Sequence, residues 1–513
     1  MKTTPPGSFA SAITLALSLL LLATCATSAG LEGFNLRSVG GADTVGGTAL
    51  VLTGGLPEPG VRLQRLGEIG TAYLYSGREN EAEEIFDFVR DADTEAAQPW
   101  PTAQALISVG RGYARLGRID AAAAVLDRAR SQAGEIAAES ARAAVLEAII
   151  DAALIPSPSL TQVLQATIQE GYIIQDFALR VSFLLDVVER YREARLPGDL
   201  GTLIQQALPA ASSIADPWER ALAFARIARA RRSQDGEPTE TSTETLNRAL
   251  GILSEAPPME DATQALAARR LAAVLASMDA QIEAMNLIDD IPLDHFQALA
   301  YVDLARSYFA EDLRAVGFLM LTRGAGRAGR ATTPARRAES HIAVARGYGE
   351  IDEDSLALFQ LEQGRSNALE AESADRKVEL LSEIVGIYLE QGRGDLIQTT
   401  VDALPGGIVP ARLQIRLAEM HLQAGSRADA AAAFARARPE FQRTQEPAGE
   451  FALRIVRVAT RLGETGEAVE LAASLSDPAL RIRALTEILR WDSGGEDLPP
   501  AAEARLEQLR TGE

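Results

Sequence analysis

The sequence predicts an all-α, right-handed superhelical solenoid of about eleven antiparallel helical hairpins. Three observations lead to this prediction: one pattern of residues recurs about every 40 positions, Ala and Leu are abundant, and residues that favour strands are sparse. One hairpin buries too little apolar surface to fold alone. Successive hairpins are therefore expected to stack side by side, each completing the core of its neighbour.

The recurring pattern sets large and small residues at fixed steps along two helices. It is seen first in Leu66, Ile69, Gly70, Tyr73, Ala82, Phe86 and Val89, and it returns in Leu106, Val109, Gly110, Tyr113, Ala122, Leu126 and Ala129. Equivalent central positions of the first helix fall at Tyr73, Tyr113, Ala153, Tyr191, Ala230, Leu275, Tyr308, Tyr348, Tyr388, His421 and Ala459. Gly often follows four residues later, where a left-handed residue closes the helix.

These residues resemble the tetratricopeptide repeat family, in which each unit is two antiparallel helices with small residues where the helices cross closely. The stretches 66–89, 106–129 and 417–437 fit best. The period here is nearer 40 residues than the family's 34, and the Trp usual near the start of the unit is absent. The resemblance implies a solenoid over residues 61–495 that binds peptides or helices on its concave face. A related helical-hairpin solenoid outside the strict family is the alternative.

The first 29 residues read as a signal peptide. Lys2 gives a positive start, and Ala12 to Leu22 form an apolar stretch of the length expected for the central region of a signal. We therefore expect export to the bacterial periplasm or envelope. No later apolar run is long enough to span a membrane.

The cleavage site of the signal has two interpretations. The stretch from Leu22 to Cys25 resembles the bacterial lipoprotein box, in which the Cys receives lipid and becomes the mature N-terminus. Thr27-Ser28-Ala29 instead offers an ordinary cleavage site before Gly30. Cys25 is therefore a possible lipidation site, and membrane attachment is expected only through that lipid.

Residues 30–60 are predicted to form a flexible tether because they are rich in Gly, which loses much backbone entropy in a helix. A short hairpin over Val45 to Thr53 is the alternative. At the other end, residues 496–513 are predicted to form a capping helix and tail. Pro499 and Pro500 begin that helix, and polar side chains on its outer face keep it in contact with water.

Charge and chemistry exclude several classes of function. The net charge of -21 repels phosphate backbones, so nucleic-acid binding is not expected. His295, His341 and His421 are the only histidines and none has a metal partner at helical spacing, so we expect packing roles, no metal and no cofactor. Residues 324–329 spell G-x-G-x-x-G, but they follow a predicted helix and not a strand. We interpret them as an interhelical turn.

A binding groove is the better candidate site. The row two positions before the central residue places Arg306 and Arg346 on adjacent first helices, with Ala273 and Gly386 on either side. Because guanidinium groups bind carboxylates with two hydrogen bonds, this pair is expected to hold an acidic or C-terminal peptide segment, with Phe309 adding an apolar contact. The alternative is that acids nearby, such as Asp303 or Glu350, neutralise both arginines.

The sequence therefore predicts an exported, non-catalytic scaffold for protein contacts. The competing interpretation is a helical-toroid enzyme acting on envelope polysaccharide, since such enzymes set two acids across a cleft. Sugar clefts are usually lined with aromatic residues, whereas Trp100, Trp218 and Trp491 are scattered and predicted to lie off the inner face. The partner's identity and self-association are not predicted.

Overall fold

The described residues of the computed structural model, 44–94, 97–196, 198–232, 237–404, 406–443, 449–491 and 498–511, are built from α-helices, with no strand among them. The helices are α1 Val45–Gly54, α2 Pro59–Tyr75, α3 Glu79–Asp91, α4 Pro99–Arg115, α5 Ile119–Gly134, α6 Glu139–Ala153, α7 Pro158–Gly171, α8 Phe177–Glu193, α9 Leu200–Ser212, α10 Pro217–Ala230, α11 Glu240–Ser254, α12 Ala262–Ala276, α13 Gln281–Asp289, α14 Asp294–Ala310, α15 Arg314–Ala328, α16 Pro334–Gly349, α17 Asp354–Leu369, α18 Ala374–Glu390, α19 Gly394–Asp402, α20 Ile408–Gln423, α21 Arg427–Arg443, α22 Gly449–Arg461, α23 Thr465–Ser474, α24 Pro478–Trp491 and α25 Pro500–Thr511. The prediction of an all-α repeat of helical hairpins is confirmed.

The turn inside most hairpins contains one residue in the left-handed backbone region. At Gly77 and Gly117 the angle φ is +80° and +73°, as the Gly pattern predicts. The same place, four residues after the central position, holds Arg195, Asp279, Asp312 and Asp352 in other repeats, again with positive φ. Asp tolerates this conformation better than most side chains, so the turn persists where its sequence signal is lost.

The core lies between the first and second helices, where small residues allow close crossings. A Cβ on Gly70 would lie 2.6 Å from the ring of Phe86, and one on Gly110 would lie 2.7 Å from Leu126. Most central residues of the first helices, among them Tyr73, are buried in this layer, and Tyr308 and His421 are half-buried. The repeated Gly is therefore needed so that a large side chain of the second helix can reach the first.

The chain divides into two compact units. Unit 1 comprises Met1–Ala137, Ser157–Val163 and Glu446–Glu513, and unit 2 comprises Ala138–Pro156 and Leu164–Gln445. In unit 2 the first helices α6, α8, α10, α12, α14, α16, α18 and α20 pack on one another in that order. From α8 onward, each of them also packs on the helix that follows it.

In unit 1 the beginning and the end of the repeat array pack together. The first helices of the hairpins lie side by side in the order α22, α24, α2 and α4. Helix α24, from the C-terminal part of the chain, therefore packs on α2, which belongs to the earliest hairpin. Helix α1 packs on both α24 and α2, just as α3 packs on both α2 and α4. Helix α1, the first helix among the described residues, therefore takes the position of a second helix beside α24, which itself follows the eleven hairpins from α2/α3 to α22/α23.

The tether prediction was wrong for the residues of α1. The Thr44 side chain caps this helix by accepting a hydrogen bond of 3.0 Å from the backbone N–H of Gly47, and Ala49 and Leu50 are fully buried. A Cβ on Gly46 would lie 2.1 Å from the hydroxyl oxygen of Tyr73, so the glycine lets α1 approach α2 closely. Burial against α2 and α24 outweighs the low helix propensity of Gly, because tertiary packing supplies most helical stability in proteins.

The predicted C-terminal helix is present as α25, but its place differs from the expected cap. It packs on α23 and α1, and Ala502 and Leu506 are buried there. It therefore lies against the second helix α23 and against α1, and it does not cover the end of a stack. The signal peptide, Cys25 and the tether up to residue 43 lie outside the described residues. Within the described part, no helix combines the length and apolarity needed to span a membrane.

Ionisation of the buried Tyr388 is expected to lower the stability of the fold at alkaline pH. Burial raises the pKa of Tyr388 to about 12, above its unfolded value near 10. The neutral phenol therefore stabilises the fold fully below pH ~10, and this contribution is lost as the pH rises from about 10 through about 12. We expect the urea midpoint to fall across that range and to fall less steeply in Tyr388→Phe. Equal slopes in the two proteins would show that Tyr388 does not contribute.

Candidate functional site

The structure places Arg306 and Arg346 on the adjacent first helices α14 and α16, as the repeat alignment predicts. Each guanidinium group already has an acidic partner. Arg306 donates from Nε and Nη2 to Glu350, at 3.0 and 2.8 Å, and this hydrogen bonding raises the pKa of Arg306. Arg346 lies 3.3 Å from Glu383. The expectation of two arginines without acidic partners was therefore wrong, and the alternative of local neutralisation describes both.

Phe309 also differs from its predicted role. A Cβ on Gly317 would lie 2.2 Å from the Phe309 ring, so the ring packs against the second helix α15 of its own hairpin. The side chain is half-buried and contacts the second helix of its own hairpin. The predicted groove of Arg306, Phe309 and Arg346 is thus not brought together as one site.

The pairs of Arg306 and Arg346 belong to a ladder of ion pairs between successive first helices. Further pairs include Arg190 to Asp151 (2.7 Å), Arg226 to Asp186 (2.7 Å), Arg229 to Glu189 (2.6 Å), Arg269 to Asp303 (3.1 Å) and Arg376 to Glu339 (2.6 Å) in unit 2, and Arg457 to Glu487 (3.0 Å) in unit 1. These partners occupy neighbouring rows of the helix surface. A single row read from the sequence therefore misses them.

Two histidines sit in the core and hydrogen-bond there. His295 Nδ1 lies 2.9 Å from Ser340 Oγ, and His341 Nδ1 lies 2.7 Å from Gln360 Oε1. Burial lowers the pKa of both side chains, which favours neutral rings. No group of three or more His, Cys, Asp or Glu within the described ranges could hold a metal ion.

The G-x-G-x-x-G segment is largely helical, which corrects the turn interpretation. Helix α15 continues to Ala328, and a Cβ on Gly324 would lie 3.2 Å from the carbonyl oxygen of Ala298 on α14. Gly324 is therefore a close-packing residue of the hairpin. The segment offers no loop of free N–H groups of the kind that binds a phosphate.

Unit 2 contains a cavity across three first helices, here named the repeat cavity, of about 570 Å³. It is lined by α16, α18 and α20 and by residues of both charge signs together with apolar ones: Arg346, Glu379, Ser382, Glu383, Gly386, Ile387, Leu389, Glu390, Arg416, Met420, Gln423 and Ala424. Arg346 and Gly386 from the predicted row lie in it. Arg306 and Phe309 do not line it.

Unit 1 contains a second cavity, here named the seam cavity, of about 750 Å³ on α2, α4 and α24. Its lining is Thr71, Leu74, Tyr75, Ser76, Ser108, Arg111, Gly112, Arg115, Arg490 and Trp491. Thr71 and Arg111 belong to the predicted row, but Trp491 was predicted to lie off the inner face. The row two positions before the central residues was followed only as far as Arg457 on α22. The next helix in the stack, α24, was left out, so its contribution to this cavity was not predicted from the sequence.

A third cavity, of about 820 Å³, lies in unit 2 on α6, α8, α10, α12 and α14. Its described lining contains the acids Asp176, Glu219 and Asp303 and several arginines, without an aromatic residue. Burial raises the pKa of Glu219. Arg226 and Arg269 of this cavity are members of the ion-pair ladder, so its charges already serve contacts between repeats.

A double-mutant cycle on Arg306 and Glu350 measures the coupling energy of one ion pair of the ladder. Both side chains are 43% exposed, so the Arg306→Ala and Glu350→Ala cycle is expected to give a coupling energy of about 0.2–1 kcal/mol, smaller at 1 M NaCl because salt screens exposed charges. Urea unfolding of the four proteins at both salt concentrations provides the energies. A coupling near zero at low salt would mean that this pair does not hold the helices together.

Comparison with known proteins identifies no family. No family model matches the chain, and no curated protein matches its sequence. Among solved structures it is similar to Ton1535 from Thermococcus onnurineus NA1, with 14% identity and a TM-score of 0.24 over 64% of this chain and 96% of that one. It is also similar to a circular tandem repeat protein with novel repeat topology and enhanced subunit contact surfaces, with 16% identity and a TM-score of 0.16 over 87% of this chain and 94% of that one.

Proposed function

We propose that the chain is an exported, non-catalytic scaffold that binds a segment of another protein on the first helices of a tetratricopeptide-like array. The close Gly crossings and left-handed hairpin turns support the tetratricopeptide assignment, although the period is longer than in that family. Export, with lipid on Cys25 or with ordinary cleavage before Gly30, belongs to the proposal and rests on the first 29 residues.

The observation that carries the proposal is the repeat cavity. It runs over three successive first helices and contains both charged and apolar residues, which suits an extended peptide whose side chains differ along its length. Ile387 and Met420 offer apolar contacts, and Arg346 and Glu383 offer one charge of each sign. The partner segment is therefore proposed to be amphipathic with mixed charges, and not purely acidic as the row of arginines alone suggested.

The ion pair in this cavity does not prevent binding. Arg346 and Glu383 are 48% and 40% exposed, and exposed pairs of this kind stabilise a protein by at most about 1 kcal/mol. A charged group of the partner can replace either member at little cost. Arg346 thus keeps a binding role in the proposal, while Arg306, held by Glu350 and outside the cavity, does not.

The distribution of side chains among the cavities favours a scaffold over a polysaccharide-cleaving enzyme. Among the described residues, carboxylates without an aromatic ring line the cavity on α6 to α14, whereas Tyr75 and Trp491 without a carboxylate line the seam cavity. Cleavage of a sugar by two acids needs both in one cleft, with the acids set across the scissile bond.

Filling the repeat cavity tests the proposal. A Cβ on Gly386 would lie 3.6 Å from Met420 Cε, an ordinary contact, so Gly386→Ala is tolerated and adds helix propensity. Gly386→Phe extends a ring into the cavity. Peptides selected from a displayed library against the purified protein are expected to bind Gly386→Phe at least about tenfold more weakly, a difference of ~1.4 kcal/mol, and Gly386→Ala as the original chain.

The measurement is fluorescence anisotropy of labelled peptides, with circular dichroism to establish that each variant is folded. The proposal fails if a folded Gly386→Phe binds the selected peptides as tightly as the original chain does. It fails equally if the library yields no peptide that binds.

A further inference from the structure

The seam cavity is formed by residues from distant parts of the chain. Tyr75 comes from α2, Arg115 from α4, and Arg490 and Trp491 from α24. The three helices are neighbours in unit 1 in the order α24, α2 and α4. The cavity therefore exists only because α24 packs beside α2. Its volume of about 750 Å³ lies within the range of small-ligand pockets.

One tyrosine ring holds two guanidinium groups of this cavity. The Arg115 Cζ lies 4.4 Å and the Arg490 Cζ 5.8 Å from the centre of the Tyr75 ring. Stacking on a ring fixes a guanidinium group without using its N–H donors, which stay at the edges of the group. Within the described residues, Arg115 has no carboxylate partner. Its donors are therefore available to an anion.

Arg490 shares its carboxylate partner with a second arginine. Arg490 Nη1 lies 3.3 Å from one oxygen of Glu487, and the other oxygen of Glu487 already accepts a hydrogen bond of 3.0 Å from Arg457. One carboxylate therefore serves two guanidinium groups. The Nε of Arg490 is buried and has no hydrogen-bond partner among the described residues, an arrangement that costs free energy.

The cavity also offers hydrogen-bond acceptors. The hydroxyl groups of Thr71, Ser76 and Ser108 donate to backbone carbonyl oxygens of their own helices or helix ends, at 2.8, 2.9 and 3.0 Å. Because each hydroxyl proton is used in this way, the oxygen lone pairs are left to accept from a ligand. The indole of Trp491 is 44% exposed, with Arg461 4.9 Å from the ring centre, and it adds an apolar face.

We propose that the seam cavity binds an anionic glycan whose sugar residues carry carboxylates. A uronic acid residue presents in one rigid unit the three features that the cavity matches: a carboxylate for Arg115 and Arg490, hydroxyl donors for the Ser and Thr oxygens, and an apolar ring face for Trp491. In an acidic peptide these features come from separate flexible residues, whose ordering opposes binding. This site is independent of the repeat cavity and does not rest on the peptide-binding proposal.

Calorimetric titration of the full chain tests this inference, with tetragalacturonate as the probe. We expect binding of tetragalacturonate, and binding at least about tenfold weaker for its fully methyl-esterified form, which lacks the charges. Arg115→Gln and Trp491→Ala are each expected to weaken binding about tenfold. Trp491→Phe retains a ring face and should recover most of the affinity.

Arg314→Gln is the matched control, because Arg314 is an arginine of unit 2 that is 72% exposed and outside every cavity described above. It should bind tetragalacturonate as the original chain does. Two further titrations separate the ligand classes, one with a tetraglutamate peptide and one with inorganic phosphate. Binding of either as tightly as tetragalacturonate overturns the proposal, the first in favour of an acidic-peptide site and the second in favour of a simple anion site. Absence of tetragalacturonate binding, or binding that folded Arg115→Gln leaves unchanged, also overturns it.

Discussion

Each hairpin of this chain presents an apolar face that only a neighbouring first helix can cover, and the rest of the structure depends on that burial. The close crossing of two helices requires a small residue on one of them, as at Gly70 beneath Phe86 and Gly110 beneath Leu126. Since each layer is stabilised by its neighbours, an array of this kind needs both its ends covered. Unit 1 meets this need by placing α1 beside α24, so that the end of the array is completed by its beginning.

The same stacking determines where charge is available for binding. Arginines and acids of adjacent first helices come within hydrogen-bonding distance and form the ladder of ion pairs. Arg306, Arg346 and Arg457, which the row in the sequence selects, all have acidic partners in this ladder. What remains is the mixed surface of the repeat cavity and the seam cavity, where Arg115 stacks on Tyr75 and has no carboxylate partner within the described residues. The two proposed binding activities follow from this difference, one in each unit.

The periodic part of the fold could be predicted because packing repeats the same few residues at fixed steps. Tyr73, Tyr113 and Tyr388 and the turn glycines identify the hairpins. The structure shows the same left-handed turn at Asp279, Asp312 and Asp352, where the sequence lacks the glycine that predicts it. The helix at Val45–Gly54 could not be predicted from local propensity, because it is stabilised by α2 and α24. The partners of Arg306 and Arg346 were missed because they lie in other rows, and the seam cavity because it joins residues about 400 positions apart.

Hydrogen exchange of the backbone amides of α1 tests the central claim most directly. If the N-terminal helix is the missing partner of α24, the amides of residues 49–53, which bond within the helix, should exchange as slowly as those of α24, because both open only when unit 1 opens. Exchange of these amides at the rate of an unstructured peptide, with α24 still protected, would contradict the claim that α1 covers α24 and completes the array.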